Sequence, residues 1–435
     1  MVILTLLILS VLVYRLKGAG KLLHAGGFFV LVNYISLWTY FIHQIGLVHY
    51  EDFVGLPMPI NSDYSMASVA YMCGYYMLVS FVVAPNTRKR KIEPLGNSQF
   101  SPRGFKMLAL AANVVAVLVL YVALAIYITE ANFQLIFRNY SYLFLVNANN
   151  VGLQSRAAIL LHDATGILGV ALGAGLAIFL GKKKFGWALL YAPIYIFCVV
   201  IKYALFSRWV ALQLAAFLIV FAAGKLRRRA KFGRSILLLL LAAFIFVVYI
   251  STLAGRYGQA QGISAVYAAV IDALSNLSIY LEFVVLNVFG GSFVFLEAAA
   301  QNAAVYNILF KITSFSPLPA VIDGWDYWRA GIYMINQYTP YNVAAELFYF
   351  GVPFWILYLI IIKIAYSLSN KIQARYDSSL GFVVASPLYI YAVMFGFYGV
   401  RFGSKLIYIS IVIALSVIFL KRQKRKISSL PAEHK

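Results

Sequence analysis

Between positions 323 and 329 the chain sets two carboxylates, two indoles, a phenol and an arginine in a row, Asp323-Gly324-Trp325-Asp326-Tyr327-Trp328-Arg329. Aromatic faces stack on the CH faces of sugar rings and carboxylates accept sugar hydroxyls, so this segment could contact carbohydrate through Trp325, Trp328 and Arg329. An aromatic belt at a membrane surface with solvated charges has the same composition. Glu346 stands in Tyr341-Asn342-Val343-Ala344-Ala345-Glu346-Leu347-Phe348-Tyr349-Phe350-Gly351. A charge at such an apolar helix start is costly and marks either a functional group or half of a structural pair.

Three arginines are placed where phosphate chemistry could use them. Arg208 lies in Phe206-Ser207-Arg208-Trp209, a turn without ordinary turn residues, where a guanidinium could grip phosphate bidentately. Arg401 lies in Gly399-Val400-Arg401-Phe402-Gly403-Ser404-Lys405 and Arg256 in Ala254-Gly255-Arg256-Tyr257-Gly258. Glycines there let a phosphate approach the backbone. The plainer account of all three is an arginine that snorkels to a lipid headgroup.

Other chemistries have little support. There is no phosphate-binding glycine loop, no dinucleotide fingerprint, no HExxH and no Cys-x-x-Cys. Of five histidines none falls in the segment 251–340, so no histidine metal site is expected there. Cys73 and Cys198 both lie in apolar runs and imply no disulfide framework. The pair His162-Asp163 could relay protons, but a helix-start carboxylate at the positive end of the macrodipole is simpler.

The elements that must hold these residues are membrane spans. The 435 residues are 63% hydrophobic and 11% charged with a mean hydropathy of +0.84, whereas soluble domains carry about 25% charged residues. About 17 to 25 apolar residues make one crossing. Eleven runs qualify or nearly so: Met1–Tyr14, Ala25–Val48, Met66–Ala84, Met107–Thr129, Ala157–Leu180, Trp187–Phe206, Trp209–Ala223, Ser235–Ile250, Tyr341–Leu368, Phe382–Tyr398 and Leu406–Leu420. The sixth and seventh read as separate crossings, because one helix through both would be about 55 Å long. The chain should turn near Lys202–Arg208. The first run lacks a basic start and a small-residue cleavage site, so it reads as a retained span and not a signal peptide.

With alternate loops assigned to the cytoplasm, the basic clusters Arg88–Lys91, Lys182–Lys184, Arg227–Arg229 and Lys421–Lys426 all fall inside, and nine of the 36 basic residues remain outside. This positive-inside bias accounts for the net charge of +22 and puts the C-terminus in the cytoplasm. Nucleic acid is therefore not expected as a partner. The whole chain, 1–435, reads as one integral membrane domain, with one large loop, 251–340, on the outer side. Within that loop Ile263–Phe289 and Phe293–Phe310 read as helices lying in or re-entering the membrane surface. A Gly169-xxx-Gly173 step in the fifth span permits close helix packing.

The many spans, the short hairpin with Ser207-Arg208, the large loop before a late span, and Ala345-Glu346-Leu347-Phe348-Tyr349-Phe350-Gly351 resemble bacterial O-antigen (oligosaccharide repeat-unit) polymerases. The resemblance covers most of the chain in architecture and rests on short residue motifs. It implies an all-α polytopic membrane protein of about 11 transmembrane helices with GT-C-like glycosyltransferase architecture in the bacterial inner membrane. Its activity would be metal-independent and cofactor-free: a growing glycan moves from undecaprenyl pyrophosphate to the terminal sugar of an incoming lipid-linked unit at the periplasmic face. The implied partners are undecaprenyl pyrophosphate-linked oligosaccharides, membrane lipids and a chain-length-regulating co-polymerase. Arg208, Arg256 and Arg401 then become candidates for binding pyrophosphate as its charge develops. Asp323, Asp326 and Glu346 become the carboxylates that could orient or deprotonate the acceptor hydroxyl. Two neighbouring readings are an O-antigen ligase, which typically has a histidine in the large loop, and a lipid-linked oligosaccharide flippase, which typically has similar halves and short loops.

Overall fold

A computed structural model describes residues 1–47, 66–86, 103–138, 145, 148–225, 231–257, 262–290, 293, 296, 306–318, 320–329, 342–375, 378–396 and 398–428. Lipid offers no hydrogen bonds to a bare backbone, so the apolar runs close their own as helices. Among the described residues eleven helices have 17 or more residues: α1 Val2–Gly18, α2 Ala25–Gln44, α3 Met66–Val83, α4 Arg103–Glu130, α5 Arg156–Gly181, α6 Phe185–Ala204, α7 Trp209–Lys225, α8 Lys231–Tyr257, α9 Val352–Arg375, α10 Ser378–Met394 and α11 Val400–Ser428. Seven of them, α2 to α6, α9 and α11, are long and apolar enough to cross a membrane. The chain is an all-α, multi-pass membrane protein.

The helices pack as two compact units, one formed by Met1–Ser98 with Glu282–Lys435 and the other by Gln99–Leu281. The stretch 251–340 is shared between them. In the first unit, an aromatic core of Phe29, Tyr75, Tyr358, Tyr391 and Phe395 is fully buried. The hydroxyl of Tyr358 bonds those of Tyr75, at 3.3 Å, and Tyr391. One end of this unit is knitted by α9, whose Gln373 and Asn370 accept the N–H groups of Ala25 and Gly26 at 2.8 and 3.1 Å. These are donors that the first turn of α2 cannot pair within the helix. Asn370 also donates to the Val83 carbonyl at the end of α3 (3.1 Å).

The second unit is organised by a bare face on α5. A Cβ added at Gly169 would lie 2.3 Å from the Gln213 amide, at Gly173 2.7 Å from the Tyr195 ring, and at Gly166 2.8 Å from the Trp209 ring. The glycines let α6 and α7 approach closely, and Gln213, fully buried on α7, donates to the Thr165 carbonyl at 2.8 Å. Hydrogen bonds between helices of this kind hold bundles together where lipid leaves no hydrophobic driving force. Ser155 caps α5, accepting the Ala158 N–H (3.3 Å), and one Glu130 oxygen accepts from the N–H groups of Gln154 (2.9 Å) and Ser155 (3.0 Å).

Several expected elements are cut differently. The ninth run is broken at Gly351, whose φ of +87° interrupts the helix, so Val343–Phe350 is separate from α9. Ile263–Phe289 divides at Asn276 into Val266–Ser275 and Leu277–Val285, then widens into a π-turn at Leu286–Gly290. Phe310 belongs to a helix starting at Ile308, where Asn307 accepts the Leu309 N–H at 2.8 Å; most of the expected helix Phe293–Phe310 lies outside the described residues. Asp163 is no helix-start residue: α5 begins at Arg156, two turns earlier.

Replacing Gly169 with Ala should cost about 1–3 kcal/mol through overpacking. Gly186→Ala, where an added Cβ meets nothing within 4 Å, should cost nothing. Thermal unfolding of the two variants in detergent checks the contrast.

Candidate functional site

Four of the sequence candidates meet in the first unit. Arg401, in the first turn of α11, is 6% exposed and reaches residues 313–325. Its two terminal nitrogens donate to the two Asp323 oxygens at 2.9 and 3.1 Å, a bidentate pairing. One also donates to the Thr313 carbonyl and the other to the Leu318 carbonyl (2.9 Å). All four N–H bonds of those nitrogens therefore point at protein oxygens. The guanidinium also lies 4.9 Å from the ring of Trp325, a cation–π contact.

Local sequence explains how Asp323 gets there. The helices Ala320–Asp323 and Trp325–Arg329 join at Gly324, whose φ of +68° suits a residue without Cβ. That corner lets Asp323 accept the Trp325 N–H at 3.1 Å. The indole N–H of Trp325 donates to Ser314 at 3.3 Å, and its ring stacks on Phe310. Desolvation pushes the Asp323 pKa up, but hydrogen bonds from Arg401, Ser316 and the Trp325 N–H outweigh it and hold the carboxyl below its ordinary range.

Glu346 is buried beside the same turn. Its carboxylate accepts the Val400 N–H at 2.6 Å, and a Cβ on Gly399 would come within 2.5 Å of it. A carboxylate at this position satisfies a free N–H at the start of α11 and meets the positive end of its macrodipole. Asn342 fixes the short helix that carries Glu346, accepting the Ala345 N–H (2.9 Å) and donating to the Gly396 carbonyl (3.1 Å).

Arg208 and Arg256 belong to the second unit. Helix α6 ends at Ala204 and α7 starts at Trp209, so Arg208 sits in the tight turn that the length argument requires. Phe206 makes the turn with a φ of +44°, unusual for a bulky residue and costing about 1 kcal/mol. Its ring is fully buried against Gly255, where an added Cβ would lie 2.2 Å from the ring. Tyr203 and Ser251 share a hydroxyl hydrogen bond at 2.9 Å beside it. The turn bearing Arg208 is thus clamped to the end of α8 that bears Arg256. Arg208 is half-buried. Arg256 occupies the last turn of α8, and its side chain lies outside the described residues.

The side chains of Asp326 and Arg329 also lie outside the described residues, although their backbones complete the helix Trp325–Arg329. Trp328 is half-buried in that helix. No protein-family model matches the chain, and neither a curated protein nor a solved structure matches it. Among the described residues no three His, Cys, Asp or Glu side chains are grouped as a metal ion would need.

Sequence reasoning missed Phe206 and Gly255 as the pair that positions the arginine turn. The available signal was the turn itself: a tight hairpin without Gly, Asn or Pro has no residue suited to a positive φ, so a bulky side chain that takes one there has to be held by packing.

The lowered Asp323 pKa sets the sign of a pH effect. Its stabilisation is complete above the unfolded carboxylate pKa, near 4, and is lost as pH falls through the lower folded value. Melting temperatures between about pH 5 and pH 2.5 should fall further for the wild type than for Asp323→Asn. Arg401→Met at pH 7 should destabilise by on the order of 3 kcal/mol, since it strands a buried carboxylate.

Proposed function

We propose that this protein is a glycan polymerase of the bacterial inner membrane, with about 11 spans, its C-terminus in the cytoplasm and its reaction at the periplasmic face. In that reaction an acceptor hydroxyl on the incoming lipid-linked unit attacks the anomeric carbon of the growing glycan. The carbon–oxygen bond to pyrophosphate breaks, undecaprenyl pyrophosphate leaves, and the hydroxyl proton passes to a carboxylate or to water. The chemistry requires positive charge where the leaving pyrophosphate gains its negative charge.

The observation that carries the reading is the Phe206–Gly255 contact, which brings the Arg208 turn and the α8 end bearing Arg256 together in one unit. Two arginines at one end of a helical unit, where the positive-inside bias predicts few, suit a pyrophosphate headgroup held at the membrane surface. Within this reading Arg401 has a different part from the one its sequence position suggests. Its terminal N–H groups are spent on Asp323 and two backbone carbonyls, so it organises residues 313–325 of its own unit, and Arg208 and Arg256 remain the candidates for the leaving group.

The same logic divides the carboxylates. Asp323, ionised and hydrogen-bonded by Arg401, is a weak base, and Glu346 is engaged at the start of α11. Asp326, on the same short helix as Trp325 and Trp328, is then the carboxylate of the three left to be proposed for an acceptor hydroxyl.

Arg208→Ala should lower polymerisation by about 10²–10³-fold, as loss of a charge-stabilising donor does. In cells, polymer should vanish while protein level and products carrying a single repeat unit persist. Wild-type polymer in this variant would remove Arg208 from the site. Accumulation of units on the cytoplasmic face would mark a flippase, and polymer left on its carrier would mark a ligase.

A further inference from the structure

Helix Val266–Ser275 packs along α8 and buries Ala269 and Ala273, one turn apart. Its bulky apolar side chains point the other way: Tyr267, Ile271 and Leu274 are all exposed, Tyr267 to 78%. In water this arrangement is inside-out, because the helix buries alanines and exposes a phenol, an isoleucine and a leucine. In lipid it is the ordinary pattern, with small residues at the helix contact and large ones facing acyl chains.

The one charge on this helix is accommodated. Asp272 is exposed, yet one of its oxygens accepts from the Asn276 amide at 2.7 Å and the other from the Tyr280 hydroxyl at 2.6 Å. Both donors come from the chain just after the helix, so the break at Asn276 supplies the groups that let a carboxylate rest at an apolar surface. On α8, against which this helix packs, Leu240 and Phe244 are exposed as well.

We propose that the Tyr267–Ile271–Leu274 face is a lipid-contacting surface, seated in the bilayer where headgroups meet acyl chains, with bulk phospholipid as its occupant. The inference rests on the multi-pass fold alone, so it stands or fails independently of the glycan chemistry.

The native cysteines, Cys73 and Cys198, are buried, so a bimane label can be directed to Ile271→Cys or, separately, Leu274→Cys in full-length protein reconstituted into phosphatidylcholine vesicles. The surface assignment predicts that chain-brominated phosphatidylcholine quenches both labels at least twofold more strongly than aqueous iodide does. Iodide quenching equal to or above that of the brominated lipid would place the face in water and overturn the proposal. Shielding from both quenchers would show that protein covers the face and would overturn it as well. Tyr267→Cys gives a third reading should one of the other variants fail to fold.

Discussion

A guanidinium withdrawn from water must find an acceptor for each N–H it carries or leave a costly charge unpaired. The four N–H bonds on the terminal nitrogens of Arg401 meet this constraint with a bidentate carboxylate and two backbone carbonyls, all from residues 313–323. The rest of that region follows. The corner at Gly324 turns Asp323 toward the arginine and sets Trp325 under it, and Trp325 in turn holds Ser314 and Phe310. Lys311 extends the same ties, donating to the Tyr349 and Phe350 carbonyls at 3.2 and 3.3 Å, the end of the helix that carries Glu346. Pinning residues 308–329 to the first turn of α11 makes a defined surface from a segment that has no long helix of its own.

The second unit solves a different problem. Its helices lie close because α5 presents glycines where Trp209, Gln213 and Tyr195 press in, and that packing fixes where α6 ends and α7 begins. The strained Phe206 turn is tolerable because its ring fills the space left open by Gly255. Local strain offset by burial is a familiar means of presenting a side chain at a functional position. Here the side chain so presented is Arg208, the proposed pyrophosphate ligand.

The long helices were readable from apolar runs, since a span of roughly 20 residues leaves little choice of conformation in lipid. The close approach at Gly169 and Gly173 was readable too, as was the turn near Arg208, which length alone demanded. The breaks at Asn276 and Gly351 and the helix start after Asn307 were not, because each falls inside an apolar stretch and depends on a cap or a positive φ at one residue. Least legible was the engagement of Asp323 and Arg401, which lie 78 positions apart. Both were recognised as residues that could do chemistry, but composition does not say whether an arginine and a carboxylate face a substrate or each other. Glu346 shows the same ambiguity: its position in an apolar helix marked it for function or pairing, and the nearby Val400 N–H supplies the pairing.

The Arg401–Asp323 pair holds residues 308–329 in place. Hydrogen–deuterium exchange on detergent-solubilised Arg401→Met tests this most directly. Amides of 308–329 should lose protection by at least tenfold while those of α2 and α9 keep theirs. Unchanged protection across 308–329 in a folded variant would contradict the account.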